Sequence, residues 1–439
     1  MREPRHPAPL LIFWSIFQLG CVGLHADDWP QWRGPTRDGV WRESGVFDAF
    51  PSAVLPVRWT AAIGPGYSGP TVASGRVFLT DRVAAPDEQE RVRCFDQETG
   101  RALWTHAYPC AYRDIDYALG PRAAVTVADG RAFSFGAMGH VHALDAASGR
   151  VLWARHLTAD LQASINVWGV TSAPLVVGDL VIFQVGGEPE ACLVALEVQT
   201  GRERWRALSG KSSYSSPRLI RQGDRDVVLA WTAAWLAGVE PATGKVFWQE
   251  PYKPVRMILN VPDPVLDDTG RRIFLSAFYD GSSLYELGPD LAAPERRWRR
   301  AGTSERKTDA LHTIIMTPFI RGDYVYGIDS YGEMRCLSLA NGERVWEDTS
   351  LLANGRWATA HFVQNGDRTW ITTEKGEIVI ARLTPQGFER LSSARFIVPE
   401  TSLRGRDHPI AWSHPAYAGR SLFARNDSQL VCIPLATVE

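Results

Sequence analysis

The stretch Asp145-Ala146-Ala147-Ser148-Gly149-Arg150-Val151-Leu152-Trp153 contains a short phrase: a glycine, three residues and a tryptophan. The phrase returns as Thr99-Gly100 before Trp104, Thr200-Gly201 before Trp205, Thr243-Gly244 before Trp248 and Asn341-Gly342 before Trp346. Successive glycines are spaced by roughly 40–50 residues, and by about twice that from Gly244 to Gly342, which is the period of a propeller blade. An acidic residue four before the glycine (Asp96, Asp145, Glu197, Glu240) is placed to bond turn amides, and the glycine supplies the positive φ of a tight hairpin.

Working outward, each unit opens on a proline or its stand-in leading into an apolar strand: Pro70, Pro121, Pro174, Pro217, Pro264, Pro318, His361 and Pro415. Alternating apolar sequence follows, as in Val72 to Leu79 and Leu175 to Phe183, each pair of strands joined by a glycine turn. A third strand, the phrase and a fourth strand carrying the tryptophan complete the unit. The expected fold is therefore all-β, an eight-bladed β-propeller of four-stranded antiparallel blades, with each indole packed on the neighbouring blade. After Trp412 the chain has room for only three strands, so Val57–Ala62 is expected to supply the fourth strand of the last blade and close the ring. Blade five keeps Trp298 without the glycine phrase and blade seven has neither, so these two are expected to be the least regular.

With 439 residues, 17 Trp, 38 Gly and 28 Pro, the composition suits many short strands and wedged rings. A net charge of −2 excludes a strongly basic nucleic-acid footprint. Arg2, Arg5 and His6 precede an apolar run from Leu10 to Leu24 interrupted by Gln18, the pattern of an export signal. Two processing routes fit: cleavage after Ala26, giving a signal peptide over 1–26 and a propeller over 27–439, or lipid attachment at Cys21. The expected location is periplasmic or extracellular, with a membrane-anchored lipoprotein as the second route. Cys94, Cys110, Cys192, Cys336 and Cys432 read as small core residues, because free cysteine buries like a small hydrophobe. The arginine-rich segment Glu295 to Lys307 reads as an exposed strand and loop, and Asp87 to Glu90 as a surface hairpin tip.

The acidic residue, Thr-Gly and Trp of the phrase resemble the repeat of pyrroloquinoline-quinone-type propellers, and the opening Trp29-Pro30-Gln31-Trp32-Arg33-Gly34-Pro35-Thr36-Arg37-Asp38-Gly39 is similar to the start of exported quinoprotein-like propellers of unassigned activity. This resemblance implies two kinds of relative: quinone-dependent dehydrogenases, and the cofactor-free propeller of the outer-membrane β-barrel assembly machinery. The dehydrogenases, as the resemblance implies, use a vicinal cysteine pair, a calcium held by oxygens and an aspartate base. This chain has no adjacent cysteines, and Asn166, Asp263, Asp309 and Asp407 are scattered.

Loops leading into the blades converge on one mouth of the channel, so candidate ligand-binding residues are Tyr117, Arg122, Asn166, Trp168, Tyr214, His312, Trp357, His361, Asp407 and His408, beside Tyr67, Asn260, Asp263, Trp412 and His414. No catalytic or metal set is assigned, since the histidines lack ligand spacing. The same polar and aromatic mixture also fills wide channels that bind nothing. The leading expectation is a monomeric, exported, non-catalytic propeller binding a protein or small-molecule ligand at this mouth, a cell-envelope scaffold with no cofactor and no nucleic acid. The alternatives are a pyrroloquinoline-quinone-dependent oxidoreductase with calcium, and a glycan-binding propeller using Trp168 and Trp357.

Overall fold

Eight four-stranded antiparallel sheets stand in sequence order around an axis. The computed structural model describes residues 28–403 and 405–437; the expected signal peptide and Cys21 lie outside them. Seven blades are built from consecutive strands, the first running from Thr71–Ala73 to Ala102–Pro109. The eighth is completed by Trp59–Ala62, which pairs antiparallel with Gln429–Pro434 so that Trp59 faces Cys432 and Ala62 faces Gln429. The chain ends thus share one sheet, as the strand count requires, and no blade edge is left open at the seam. Among the described residues no helix is long and apolar enough to cross a membrane.

Glycine and tryptophan recur together because they touch across blades. A Cβ at Gly100 would meet Trp59 at 2.4 Å, one at Gly149 would meet Trp104 at 2.6 Å, and one at Gly201 would meet Trp153 at 2.6 Å. Each indole N–H also donates to a carbonyl in the next blade's turn: Trp59 to Gln97 at 2.9 Å, Trp104 to Ala146 at 3.1 Å, Trp153 to Val198 at 2.9 Å and Trp205 to Pro241 at 2.9 Å. Burying ~200 Å² of ring at about 25 cal/mol per Å² contributes roughly 5 kcal/mol per blade before entropy is subtracted. Within the phrase, Asp96 accepts from the Thr99 N–H at 2.9 Å, and Asp145 from the Ser148 N–H at 2.8 Å. Where the phrase is missing the docking adapts. Trp248, facing blade five, donates to the Gln222 side chain of its own blade at 2.8 Å, while Trp346 still reaches the Thr384 carbonyl of blade seven at 2.8 Å.

Several local expectations change. Blades five and seven keep the bulge between third and fourth strands found in their neighbours, at Leu284/Tyr285 and Ile380/Ala381, so the missing phrase alters the turn and not the sheet. Pro121 does not begin a strand; blade two starts at Thr126. The Pro121 carbonyl instead accepts the Tyr67 and Ser68 N–H groups at 2.8 and 2.9 Å, tying two channel loops together. Glu90 is no hairpin tip. It lies buried in Gln89–Asp96, bonded by the hydroxyls of Tyr108 and Tyr112 and by the Ala137 N–H at 3.0 Å. The five described cysteines are all free and buried, and Glu295–Arg300 is largely exposed.

Candidate functional site

All eight connections leading into the blades send side chains to one cavity of about 150 Å³ at the channel mouth. Tyr67 comes from the connection before blade one, Tyr117 and Arg122 from the next, then Trp168, Tyr214, Asp263, Ile314, Trp357 and Trp412 in ring order. Tyr117 is the hub of the rim: its ring centroid lies 6.0 Å from Trp168, 5.7 Å from Trp357 and 5.8 Å from Trp412. Trp168 continues the cage to Tyr214 at 5.2 Å and to Trp357 at 5.8 Å, mostly edge to face. Tyr117 and Trp357 both have a left-handed backbone, φ +53° and +67°. Such a conformation costs roughly 1–3 kcal/mol in a bulky residue and persists only where the surroundings impose it. Here Trp357 is imposed on by its N–H to Ser330 carbonyl bond of 3.0 Å and by Arg356, whose guanidinium lies 4.6 Å over the indole and bonds the Tyr279 hydroxyl at 2.9 Å.

The polar groups of the cavity are largely committed within the protein. Arg122 donates to the carbonyls of Gly120, Asp116 and Tyr117 at 2.7–2.8 Å and stacks 5.3 Å over Tyr67. Asp263 accepts from the Trp32 indole at 2.5 Å and the Ser216 N–H at 2.7 Å. The Tyr214 hydroxyl accepts the Trp168 N–H at 3.2 Å, and burial raises its pKa to about 12. His361 donates Nε2–H to the Trp412 carbonyl at 2.9 Å, and burial lowers its pKa to about 4. His414 accepts the Gly69 N–H at Nε2, 3.1 Å, with a pKa lowered to about 3 by burial and by His361. Both imidazoles are therefore neutral near pH 7.

Of the sequence candidates, Tyr117, Arg122, Trp168, Tyr214, Trp357 and His361 line the cavity together. Tyr67, Asp263, Trp412 and His414 join them, whereas Asn166, Asn260, His312, Asp407 and His408 lie elsewhere, Asn260 being buried with its amide on the Thr232 carbonyl at 2.9 Å. Asn166 is buried behind Trp168 and donates to the Ser212 carbonyl at 2.8 Å. His312 is buried between blades, Nδ1 on the Phe278 carbonyl at 2.9 Å and Nε2 accepting the Gly302 N–H at 3.2 Å. Asp407 and His408 pair at 2.5 Å outside the rim, beside the buried Glu374, which bonds the Trp412 indole at 3.3 Å and the Thr359 N–H at 3.3 Å and so steadies the rim.

A contributor that no repeat announces is Trp32. The segment Trp29–Trp41 forms a strap across the channel: Trp29 pairs with Val72 of blade one, the Pro30 carbonyl takes the Val127 N–H of blade two at 2.8 Å, and the Trp41 N–H meets Gln364 of blade seven at 2.8 Å. Arg37 reaches the carbonyls of Pro174 and Pro217, leading into blades three and four. Trp32 stands on this strap with its ring 4.5 Å from His414, flooring the cavity. The blind end of the site is therefore made by the opening motif.

The chemistry of pyrroloquinoline quinone and calcium finds little here. Among the described residues no three His, Cys, Asp or Glu side chains are placed to hold a metal, and Asp263, the one carboxylate lining the cavity, already has its indole and amide donors. The buried cysteines lie in blade strands, Cys110 and Cys192 beside them, and none lines the cavity.

Comparison with known proteins follows the same outline. An Outer membrane protein assembly factor BamB of Shewanella oneidensis is 26% identical over 312 residues, 68% of this chain and 62% of that relative's length. The crystal structure of BamB from Moraxella catarrhalis superposes with a TM-score of 0.56 at 15% identity, over 86% of this chain and 99% of that one. A quinohemoprotein alcohol dehydrogenase, ADHIIG of Pseudomonas putida HK5, gives 0.54 at 12% identity, over 94% and 81%; at these identities both structures speak for the fold alone. The family model described as Outer membrane protein assembly factor BamB matches residues 88–348, more than half of the chain, and with its quinoprotein-like eight-bladed propeller the chain belongs to that family.

Proposed function

We propose that this is an exported, non-catalytic propeller of the cell envelope that holds a protein partner or small ligand at its loop-lined mouth, as a scaffold in envelope-protein assembly. A signal peptide over 1–26, or a lipid on Cys21, delivers it to the periplasm, and it acts as a monomer. The observation that carries this reading is the cavity itself: eight loops build one aromatic cage whose charged groups and imidazoles are already bonded inside the protein, with the Trp357 indole N–H left without a partner among the described residues. About 150 Å³ is the size that accepts a single ring such as benzene, so the group recognised is an apolar ring and its immediate attachments. A sugar would need several free donors and acceptors around it, and a tricyclic quinone carboxylate would need more room and unspent cations. Val255 and Met257 are exposed apolar residues on the connection that also supplies Asp263.

The test uses the full mature protein. A photo-crosslinker at Met257 should capture an envelope protein, and capture should fall sharply in Trp357→Ala. Dye reduction with alcohols or sugars after addition of pyrroloquinoline quinone and calcium should stay at background. Turnover in that assay would overturn the non-catalytic reading, and binding to glycans abolished by Trp168→Ala would overturn the ring-recognition reading.

A further inference from the structure

The strap carries more positive than negative charge into the ring, since Arg33, Arg37 and Arg218 share the single carboxylate of Asp263. Arg33 is 9% exposed; its Nη2 donates to the Asp38 carbonyl at 3.1 Å, and its Nη1 meets no acceptor among the described residues. Arg37, 3% exposed, spends its nitrogens on neutral oxygens of Gln31, Pro217 and Pro174. Arg218 belongs to the same cluster, and its Nε is likewise without a partner. Asp263, bonded by the neutral donors of Trp32 and Ser216, is one negative charge against three arginines, and Asp38 is paired with Arg42 at 2.5 Å. A buried cation in this position is costly unless something pairs with it.

Between the strap and blades six to eight lies a second cavity of about 30 Å³, lined by Trp29, Arg33, Thr317, His361 and His414 among others, and by no carboxylate. The Trp29 indole N–H, on a residue 2% exposed, is also without an acceptor. The Thr317 hydroxyl oxygen accepts the Asp263 N–H at 3.1 Å, which leaves its own proton to give. Donors thus outnumber acceptors around a space that suits one or two waters or a single monatomic ion, and is too small for phosphate or sulfate.

We propose that this cavity binds a small monovalent anion of the size of chloride, held by Arg33, Trp29 and Thr317, and that the anion fastens the strap to the ring. Water would satisfy the donors and leave the excess of arginine over carboxylate charge in place; a halide answers both. The anion site is a separate cavity from the mouth, with Trp32, His361 and His414 as shared walls.

Thermal unfolding of the full mature protein, with sodium chloride replacing sodium gluconate at constant ionic strength, tests it. The expected result is a saturating rise in Tm, reproduced by bromide, with a bromide anomalous peak in the cavity of crystals grown in that salt. Removing one donor to an anion weakens binding about ten- to a hundredfold, so the half-saturating halide concentration should rise by that factor in Arg33→Gln and in Trp29→Phe, which keeps the ring. Equal Tm in chloride and gluconate, or a cavity without the bromide peak, overturns the proposal. Should Arg33→Gln fail to fold, Trp29→Phe and the wild-type bromide map decide.

Discussion

Two classes of glycine with the same backbone need and different surroundings allow the blade-docking geometry to be weighed. Gly178, in a hairpin turn, has φ +57° and nothing within 4 Å of an added Cβ. Gly201, in the repeated phrase, has φ +68°, and its Cβ would fall 2.6 Å from Trp153 of the preceding blade. Alanine at Gly178 therefore costs only the left-handed backbone term, roughly 1–2 kcal/mol. Alanine at Gly201 adds the displacement of an indole that is 9% exposed and bonded to Val198, an overpacking cost of about 1–3 kcal/mol, for a total of roughly 2–5. Urea unfolding at 25 °C measures both, and Trp153→Leu supplies the third corner of a cycle: without the indole, Gly201→Ala should cost no more than Gly178→Ala. Equal destabilisation at Gly178 and Gly201 in the wild-type background would refute the idea that the indole selects the glycine. It would mean that the phrase is conserved along the chain by its turn alone.

Other consequences are as direct. Arg37→Met leaves the Pro217 carbonyl unpaired inside the ring and the Pro174 carbonyl with the Thr126 hydroxyl alone, and should lower stability by about 2 kcal/mol, whereas Arg42→Met, at a surface ion pair, should change it by less than about 0.5, both read from chemical unfolding. At the seam of blades one and two, His106, His140, His142 and His156 pack with Tyr108, Cys110 and Glu90, and burial lowers His140 to about 4 and His142 to about 3. With folded pKa values below the unfolded 6.5, their contribution is present above that value and is lost as pH falls towards 3. For His142 alone the loss between pH 7 and pH 5 is about 2 kcal/mol, so His142→Phe should flatten the pH dependence of the urea midpoint. Deleting residues 54–64 removes the strand that pairs with Gln429–Pro434 and should turn one sharp calorimetric transition into a broad one.

The fold was legible because the phrase encodes a contact between blades, and a contact repeated at a fixed period cannot be mistaken for a local preference. Ring closure was legible for a simpler reason: Trp59 carries the tryptophan of a fourth strand whose first three strands lie more than 350 residues later. What could not be read was which side of a connecting loop each polar residue takes. Asn166 and Trp168 are two apart, yet Trp168 faces the axis and Asn166 bonds Ser212 behind it. Pro121 was misplaced because the connection between blades one and two is long enough to hold a proline that starts nothing and serves, through its carbonyl, to join Tyr67 to the mouth.

The strap was illegible for the converse reason, since Trp29 to Trp41 has no second copy from which a role could be inferred, yet it governs the site more than any blade does. A propeller channel is a tube between inner strands, and a tube lets a small ring pass. By bonding blade one at Val72, blade two at Val127, blades three and four through Arg37 and blade seven at Gln364, one segment spans the opening with few residues. Trp32 then becomes a fixed floor, its N–H on Asp263 and its ring against His414. Trp32→Ala should accordingly do more than enlarge the cavity. It releases Oδ2 of Asp263 from its indole donor beneath an aromatic cage, while Oδ1 keeps the Ser216 N–H, converting a site for a neutral ring into one with a free carboxylate oxygen. If ring recognition is what the mouth performs, Trp32→Ala must lose affinity for a neutral ring such as p-cresol by tryptophan fluorescence while gaining affinity for its cationic counterpart, tyramine. A variant that bound both as the wild type does would show that the floor has no part in selection.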